Sequence, residues 1–445
     1  MSNNPKVITR FPPSPTGWFH VGNARTALFN YFFTKQQGGA MLFRLEDTDR
    51  ERSQDEYAED IIAGLQWLGI EMDYAHPYKQ SEHTAVYKKY LEQLIREDKA
   101  YISKEEVKEE GQRAEVIRLR NPGKSVTFTD LIRGDVTVDT TELGDFVIAK
   151  SVDEPIYHFA VVVDDFEMGV THVLRGEDGI YNAPRQILIQ EAIGAPRPVY
   201  AHLPFMLNAD RSKLSKRKEG ETVSLKYYRE KGFLPEAMVN FLAFIGWNPG
   251  GEDEIFSLTE LIEKFDIAKV QKGGAVFNKE KLLWFNKEYM KRLSREKAQQ
   301  AVMEWVPEAF KKEAVLATIH DIIMDRISVW SDIPTLFTSG EFDYFFAEPN
   351  VSRDMLVWKK GGTPEEAKKH LTAVKEGLEK LTDFSAISVQ GSVFSYAEEQ
   401  GKGNVLWPLR VALSGREKSP DPFTLLSVLG KDISLRRIDA AIAIL

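Results

Sequence analysis

Apolar positions change period several times near the start of the chain. Val7–Phe11 reads as a short strand and is followed by a Pro/Gly turn, Pro12–Gly17. From His20 to Phe33 the spacing becomes helical, with Ala24, Ala27, Leu28 and Tyr31 on one face, and Gly38-Gly39 predicts its end. Met41–Leu45 is again strand-like and runs into Glu46-Asp47-Thr48-Asp49, ahead of a helix predicted over about Gln54–Leu68. Strand, helix and strand at this spacing predict a parallel sheet with helices on its faces. From about Ala85 to Pro155 the pattern differs. Helical segments give way to strand-like ones such as Val116–Leu119, Val136–Val138 and Phe146–Ala149, as in an insertion. The parallel pattern is predicted to resume at Ile156–Val163, read as an apolar strand ending in Asp164-Asp165, with a helix around Asn182–Ile193. Beyond about Met206 comes a basic loop. Helix-compatible spacing then dominates, over Ala298–Val302, Ala314–Trp330, Pro364–Leu381 and Leu425–Leu445, with Gly361-Gly362 and Pro420-Asp421-Pro422 as punctuation.

Composition narrows the possibilities. A chain of 445 residues, at roughly 150 per domain, predicts about three domains. With 43% apolar and 28% charged residues and no low-complexity tract, extensive disorder is excluded. The sequence has no cysteine, which excludes disulfides, a thiol nucleophile, iron–sulfur clusters and thiolate zinc sites, and fits a reducing, cytoplasmic setting. The first residues lack the apolar core of a signal peptide, and no apolar run nears the ~18 residues of a membrane span. A net charge of −9 excludes a uniformly basic nucleic-acid binder but leaves room for a local basic track.

Two segments carry candidate chemistry. The first, Arg10 to Asn23, contains Ser14, Thr16, Gly17, His20 and Gly22 between a strand and a helix. At the carboxyl edge of a parallel sheet this is where open α/β folds bind ligands. Glycine near a helix start lets a nucleotide approach the backbone, and the helix's first N–H groups attract phosphate. The alternative for His20 and Gly22 is a capped helix with a core histidine. The second segment is Lys213-Leu214-Ser215-Lys216-Arg217-Lys218. Asp210–Lys231 holds eight basic and four acidic residues, a net charge of +4. Lysines on a mobile loop can neutralise charge on a reacting triphosphate; the alternative is a solvated basic loop.

Taken together, the two segments resemble the signatures that bracket the ATP site of class I aminoacyl-tRNA synthetases, here His20-Val21-Gly22-Asn23 and Lys213-Leu214-Ser215-Lys216-Arg217. The likeness extends further. Pro13–Gly17, Ala24–Leu28, Arg44–Asp49, Val162–Asp165, Arg175–Asp178 and Pro408–Leu413 are similar, in order and spacing, to the bacterial glutamyl-tRNA synthetase family. The resemblance implies a Rossmann-like catalytic domain over 1–84 and 156–205 and a shortened α+β insertion for the tRNA acceptor end over 85–155. It also implies a stem-contact region over 206–293 and a mainly helical anticodon-binding region over 294–445. It implies that Arg10, helped by Tyr157, pairs with the glutamate side-chain carboxylate. Ser14 and Glu46 would hold the amino group and Arg175 would face the α-carboxylate. His20, with Thr16, Gly17 and Gly22, would cover the ATP phosphates, and Lys213 and Lys216 would reach them from the opposite loop. Two arginines suit a dicarboxylic amino acid. Helix capping is the preferred reading of Asp49.

The sequence also departs from the family. Position 12 is Pro, and position 179 is Gly where the family often has His, which bears on a contact near the adenosine. Only sixteen residues separate Tyr101 from Arg118, without the cysteine-rich zinc knuckle of some relatives. The implied partners are glutamate, ATP with Mg²⁺, and tRNA(Glu), with no zinc, no membrane and a monomeric state. Arg410 and Trp407 are the foremost RNA candidates, with Arg416, Arg436 and Arg437 behind them, because arginine binds phosphate or base edges and an aromatic ring stacks on an unpaired base. Two rival readings are a synthetase that also charges the glutamine tRNA and a catalytically silent RNA-binding paralogue.

Overall fold

A computed structural model describes residues 6–106, 114–215 and 219–445. The chain forms two compact units, Met1–Tyr289 and Met290–Leu445. Among the described residues no helix is long and apolar enough to cross a membrane.

The first unit opens with β1 (Ile8–Phe11), α1 (Val21–Gln36), β2 (Ala40–Leu45), α2 (Asp55–Trp67) and the short β3 (Tyr78–Lys79). The three strands pair in parallel in the order β1-β2-β3, with Arg10 opposite Leu42 and Arg44 opposite Tyr78. These elements follow the predicted periodicities to within a few residues. After α3 (Thr84–Arg96) come β4 (Ala100–Lys104), β5 (Glu115–Leu119), β6 (Ser125–Asp130), β7 (Gly134–Asp139), β8 (Phe146–Ser151) and β9 (Glu154–Pro155). Strands β4, β5, β8 and β9 make an antiparallel sheet.

The run Ile156–Val163 is not a strand. It forms α4 (Tyr157–Glu167), entered from an extended Ile156. A short continuous apolar run does not distinguish a buried strand from a buried helix, and here Phe159 to Asp165 are all buried, so the helix shows no polar stripe. The parallel sheet resumes instead at β10 (His172–Gly176), followed by α5 (Ala183–Ile193) and β11 (Val199–Leu203). β10 enters beside β1, where Thr171 N donates to Ile8 O (2.9 Å). β10 and β11 are parallel, and β6 adds to β11 through the single pair Tyr200–Asp130, carrying β7 with it. The predicted insertion thus shares the parallel sheet. It also shares one apolar core, which runs from Tyr87 on α3 through Ile148 and Phe159 to Tyr200. Chain order reverses between β1 and β10, and a crevice opens there at the carboxyl ends of the strands.

Beyond β11, β12 (Met206–Leu207) pairs with β13 (Ala275–Val276). The second unit is helical. The predicted helix Ala314–Trp330 stops at Arg326, Pro364–Leu381 is observed as Pro364–Glu379, and the last helix runs Pro422–Ile444 with a kink at Gly430. Its core packs Leu371, Val393, Leu409 and Leu425 among others.

Candidate active site

The carboxyl end of β1 and the amino end of α1 face the crevice. β1 delivers Arg10, and Phe11 anchors the following turn in the core beside Phe19, ring centroids 5.9 Å apart. His20 is the N-cap of α1: its Nδ1 accepts from Gly22 N at 2.9 Å. The capping alternative for His20 is therefore realised, and the same bond leaves the proton of the neutral ring on Nε2. A cavity of about 490 Å³ fills the crevice. Arg10, Ser14, Glu46, Tyr157 and Arg175 line it, and so do Thr16, His20, Gly22 and Lys213. Gly17 lies outside its lining, and Lys216 and Arg217 fall outside the described residues. Lys213 sits over the Phe205 ring at 4.0 Å, with its ammonium 4.0 Å from Asp178.

Beneath the cavity lies a buried charge network that the motifs contained but the sequence reading did not interpret. Arg10 Nε donates to both carboxylate oxygens of Asp165 (3.1 and 3.2 Å), and Arg10 Nη1 is buried without a partner. Arg44 Nη1 donates to Asp165 (2.7 Å) and Nη2 to Glu46 (3.2 Å). Asp164, one residue back on α4, accepts from Tyr78, Gln80 and Tyr87. Burial opposes the charge of Asp165, yet Arg10 and Arg44 together hold its carboxyl below the usual range. Burial pushes the Glu46 carboxyl up, against the pull of Arg44 and Arg10. Burial also lowers the Arg175 guanidinium from its ordinary value. Tyr157 stands at the first turn of α4 and not on a strand, about half exposed to the cavity.

The neighbouring acids serve the scaffold. Asp49 accepts from Arg52 N and Nε just ahead of α2, and Asp47 accepts from Ser81 N (2.9 Å) and Oγ (2.6 Å). Among the described residues no group of three or more His, Asp or Glu side chains converges as a metal cluster.

In the second unit, Arg410 borders a cavity with Arg326, Arg416 and Lys418, and Glu341 there pairs with Arg326 (3.0 Å). Trp407 is half-buried. Its Nε1 donates to Met355 O (2.9 Å) and its ring packs 5.0 Å from that of Trp358. Arg437 is structural: it is buried and donates to Leu413 O, Tyr344 O, Ala347 O and Glu348. Arg436 pairs with Glu348.

A turn that ends in a histidine-capped helix start, a cavity with two arginines and a glutamate, and a following helical unit together define a class of protein. The profile of the family described as tRNA synthetases class I (E and Q), catalytic domain, matches residues 6–113 and 102–284, and that of the Anticodon binding domain matches residues 290–442. The chain is 38% identical to the glutamate–tRNA ligase of Geobacter sulfurreducens, over 99% of each chain, and 36% identical to that of Chloroherpeton thalassium, over 98% and 97%. The crystal structure of a glutamate tRNA ligase from Elizabethkingia meningosepticum in complex with its amino acid matches with a TM-score of 0.85 at 32% identity, over 98% of this chain and 99% of that one. The chain belongs to the glutamate–tRNA ligase family of class I synthetases.

Proposed function

We propose that this chain activates L-glutamate with ATP and transfers it to the 3′ end of tRNA(Glu). The observation that carries this reading is the buried, unpartnered Arg10 Nη1 at a cavity that Glu46 and Arg175 also line. An unpaired buried donor on a guanidinium favours an anionic partner, and a carboxylate supplies one. In this reading Arg10 takes the side-chain carboxylate with Tyr157 beside it. Glu46 and Ser14 take the ammonium, and Arg175 takes the α-carboxylate. The α-carboxylate oxygen then attacks the α-phosphorus in line, the bond to pyrophosphate breaks, and glutamyl-adenylate forms. A terminal hydroxyl of the tRNA next attacks the acyl carbonyl and expels AMP. No protein nucleophile is needed, because positioning and charge stabilisation supply the rate. The backbone at Thr16–Gly22, the Nε2–H of His20 and Lys213 face the phosphates in this reading, and the resemblance assigns Lys216 to the same task. Mg²⁺ would accompany the nucleotide phosphates and offset their charge. The test is aminoacylation by the purified chain with each of tRNA(Glu) and tRNA(Gln). Charging of tRNA(Glu) with glutamate is expected, and a chain that binds tRNA without forming glutamyl-tRNA would overturn the reading.

A further inference from the structure

Arg175 is fixed on three sides. Its Nε donates to His202 Nε2 (3.0 Å), Nη1 to Gln186 Oε1 (2.7 Å) and Nη2 to Gly179 O (2.8 Å). A guanidinium carries five N–H groups, so two remain for a ligand. The contact with His202 dictates where a proton sits. To accept from Arg175, Nε2 must present its lone pair, so the neutral ring carries its proton on Nδ1. That nitrogen lies 2.6 Å from Asp130 Oδ2. Both side chains are fully buried. Asp130 is itself pinned by backbone: Ile132 N (2.9 Å) and Arg133 N (2.8 Å) donate to Oδ1, and His202 N (3.0 Å) donates to Oδ2. A carboxylate accepts all four bonds, whereas a carboxamide can serve only one side.

Gly179 completes the arrangement. A Cβ there would lie 2.2 Å from Arg175 Nε and 2.6 Å from its Cδ, so the arginine occupies the space that any side chain would take. The glycine that stands where the family often has His is the condition for this placement of Arg175.

We propose that Asp130 and His202 are positioning residues of the amino-acid pocket. Asp130 fixes His202 as the Nδ1–H tautomer, and that tautomer aims Arg175 at the α-carboxylate of glutamate, across the space left by Gly179. The proposal rests on the reading of Arg175 given above. Asp130 ends β6, so a strand of the sequence-predicted insertion acts on the substrate through β11. The groups that face His202 are Asp130 from β6, Arg175 from β10, Arg133 from the turn after β6, and the rings of Phe128 and Tyr200. Burial, then Arg175 and Arg133, hold the imidazole below its ordinary pKa against the pull of Asp130, so the ring is neutral at pH 7.

The experiment pairs kinetics with ¹⁵N signals of the His202 ring. In Asp130→Asn the amide oxygen stays with Ile132 N and Arg133 N and turns its NH₂ toward His202, which moves the ring proton to Nε2 and sets it against Arg175 Nε–H. The expected result is a switch from Nδ1–H to Nε2–H signals and a rise of about tenfold or more in the KM for glutamate. The KM for ATP should stay within about twofold, because this effect is confined to the amino-acid pocket. Gly179→Ala should raise the glutamate KM similarly by displacing Arg175, with the tautomer unchanged. If Asp130→Asn does not fold, His202→Phe keeps a ring between Phe128 and Tyr200 and is read for the same split. A wild-type ring found as Nε2–H, or charged at pH 7, overturns the proposal, and so does a folded variant with an unchanged glutamate KM. A wild type that does not use glutamate overturns the reading beneath it, and the tautomer, measured without substrate, tells the two failures apart.

Discussion

Arg10 and Glu46 show how single residues divide their loyalties between fold and ligand. Arg10 is tied by Nε to Asp165, and its Nη1 stays unsatisfied. Arg10→Gln should cut kcat/KM for glutamate by roughly 30-fold or more, because a partner of a desolvated ion pair is worth about 2–5 kcal/mol. Asp165 retains Arg44, so the variant should stay folded, with a lowered melting temperature and a near-normal KM for ATP. Normal glutamate kinetics in the folded variant would remove Arg10 from the pocket. Glu46 behaves in the opposite way. Its folded pKa lies above its unfolded value near 4.5, so at neutral pH this carboxyl weighs against the fold. That unfavourable contribution disappears as the pH falls below the unfolded value. Glu46→Gln should therefore melt at or above the wild-type temperature at pH 7, and the difference should shrink toward pH 4.5. The same substitution should weaken glutamate binding by removing the counter-charge of its ammonium. A variant that melts much lower at pH 7 would mean that Glu46 braces Arg44 and does no more.

At the scale of elements, α1 begins on a residue with two duties. His20 caps the helix through Nδ1, lines the cavity, and in the proposed reading offers Nε2–H to the ATP phosphates. Asparagine can keep the cap through Oδ1, but its NH₂ sits nearer the backbone and falls short of the position of Nε2–H, whereas alanine has neither cap nor donor. His20→Asn should hold the melting temperature and slow adenylate formation in single-turnover measurements. His20→Ala should slow it equally and also lose about 1 kcal/mol of stability. Equal rates for wild type and His20→Asn would reduce the histidine to a cap. β1, α1 and β2 were legible in the sequence although all three are largely buried, because the Pro12–Gly17 turn and Gly38-Gly39 mark their limits and α1 is long enough to exclude a strand. α4 was not, because it is enclosed by α3, α5 and β8 and has no polar face to betray its turn. The cavity was legible where a motif names a residue that lines it, as with Arg10, Glu46 and Arg175. It was illegible where the acting group lies one bond further away. Nothing in the local sequence around Asp130 or His202 pairs them, because they meet only when β6 docks on β11.

At the scale of the whole molecule, a net charge of −9 would repel a polyanion if it were spread evenly. It is not spread evenly. In the second unit Arg410, Arg416, Lys418 and Arg326 border one cavity with Glu341 as the single acid in its lining. Binding of tRNA should therefore weaken steeply with added salt, as phosphate contacts release counterions. Arg410→Ala should raise the KM for tRNA and leave that for glutamate unchanged, as measured by aminoacylation at two ionic strengths. If glutamate binding suffers and tRNA binding does not, the second unit is not the reader of the tRNA.

The pairing of Arg10 with Asp165 spans 155 residues of chain, and Arg175 lies ten residues further on. Synthesis runs from the amino terminus at about 5–20 residues per second, so the first strand waits on the order of ten seconds for its buried counter-charge. During that interval β1 and β2 can pair, since only the crossover through α1 must close. The amino-acid pocket has no floor until α4 and β10 have left the ribosome. A nascent chain of this protein therefore acquires its strands long before it acquires any affinity for glutamate, and free amino acid cannot guide the early stages of its folding.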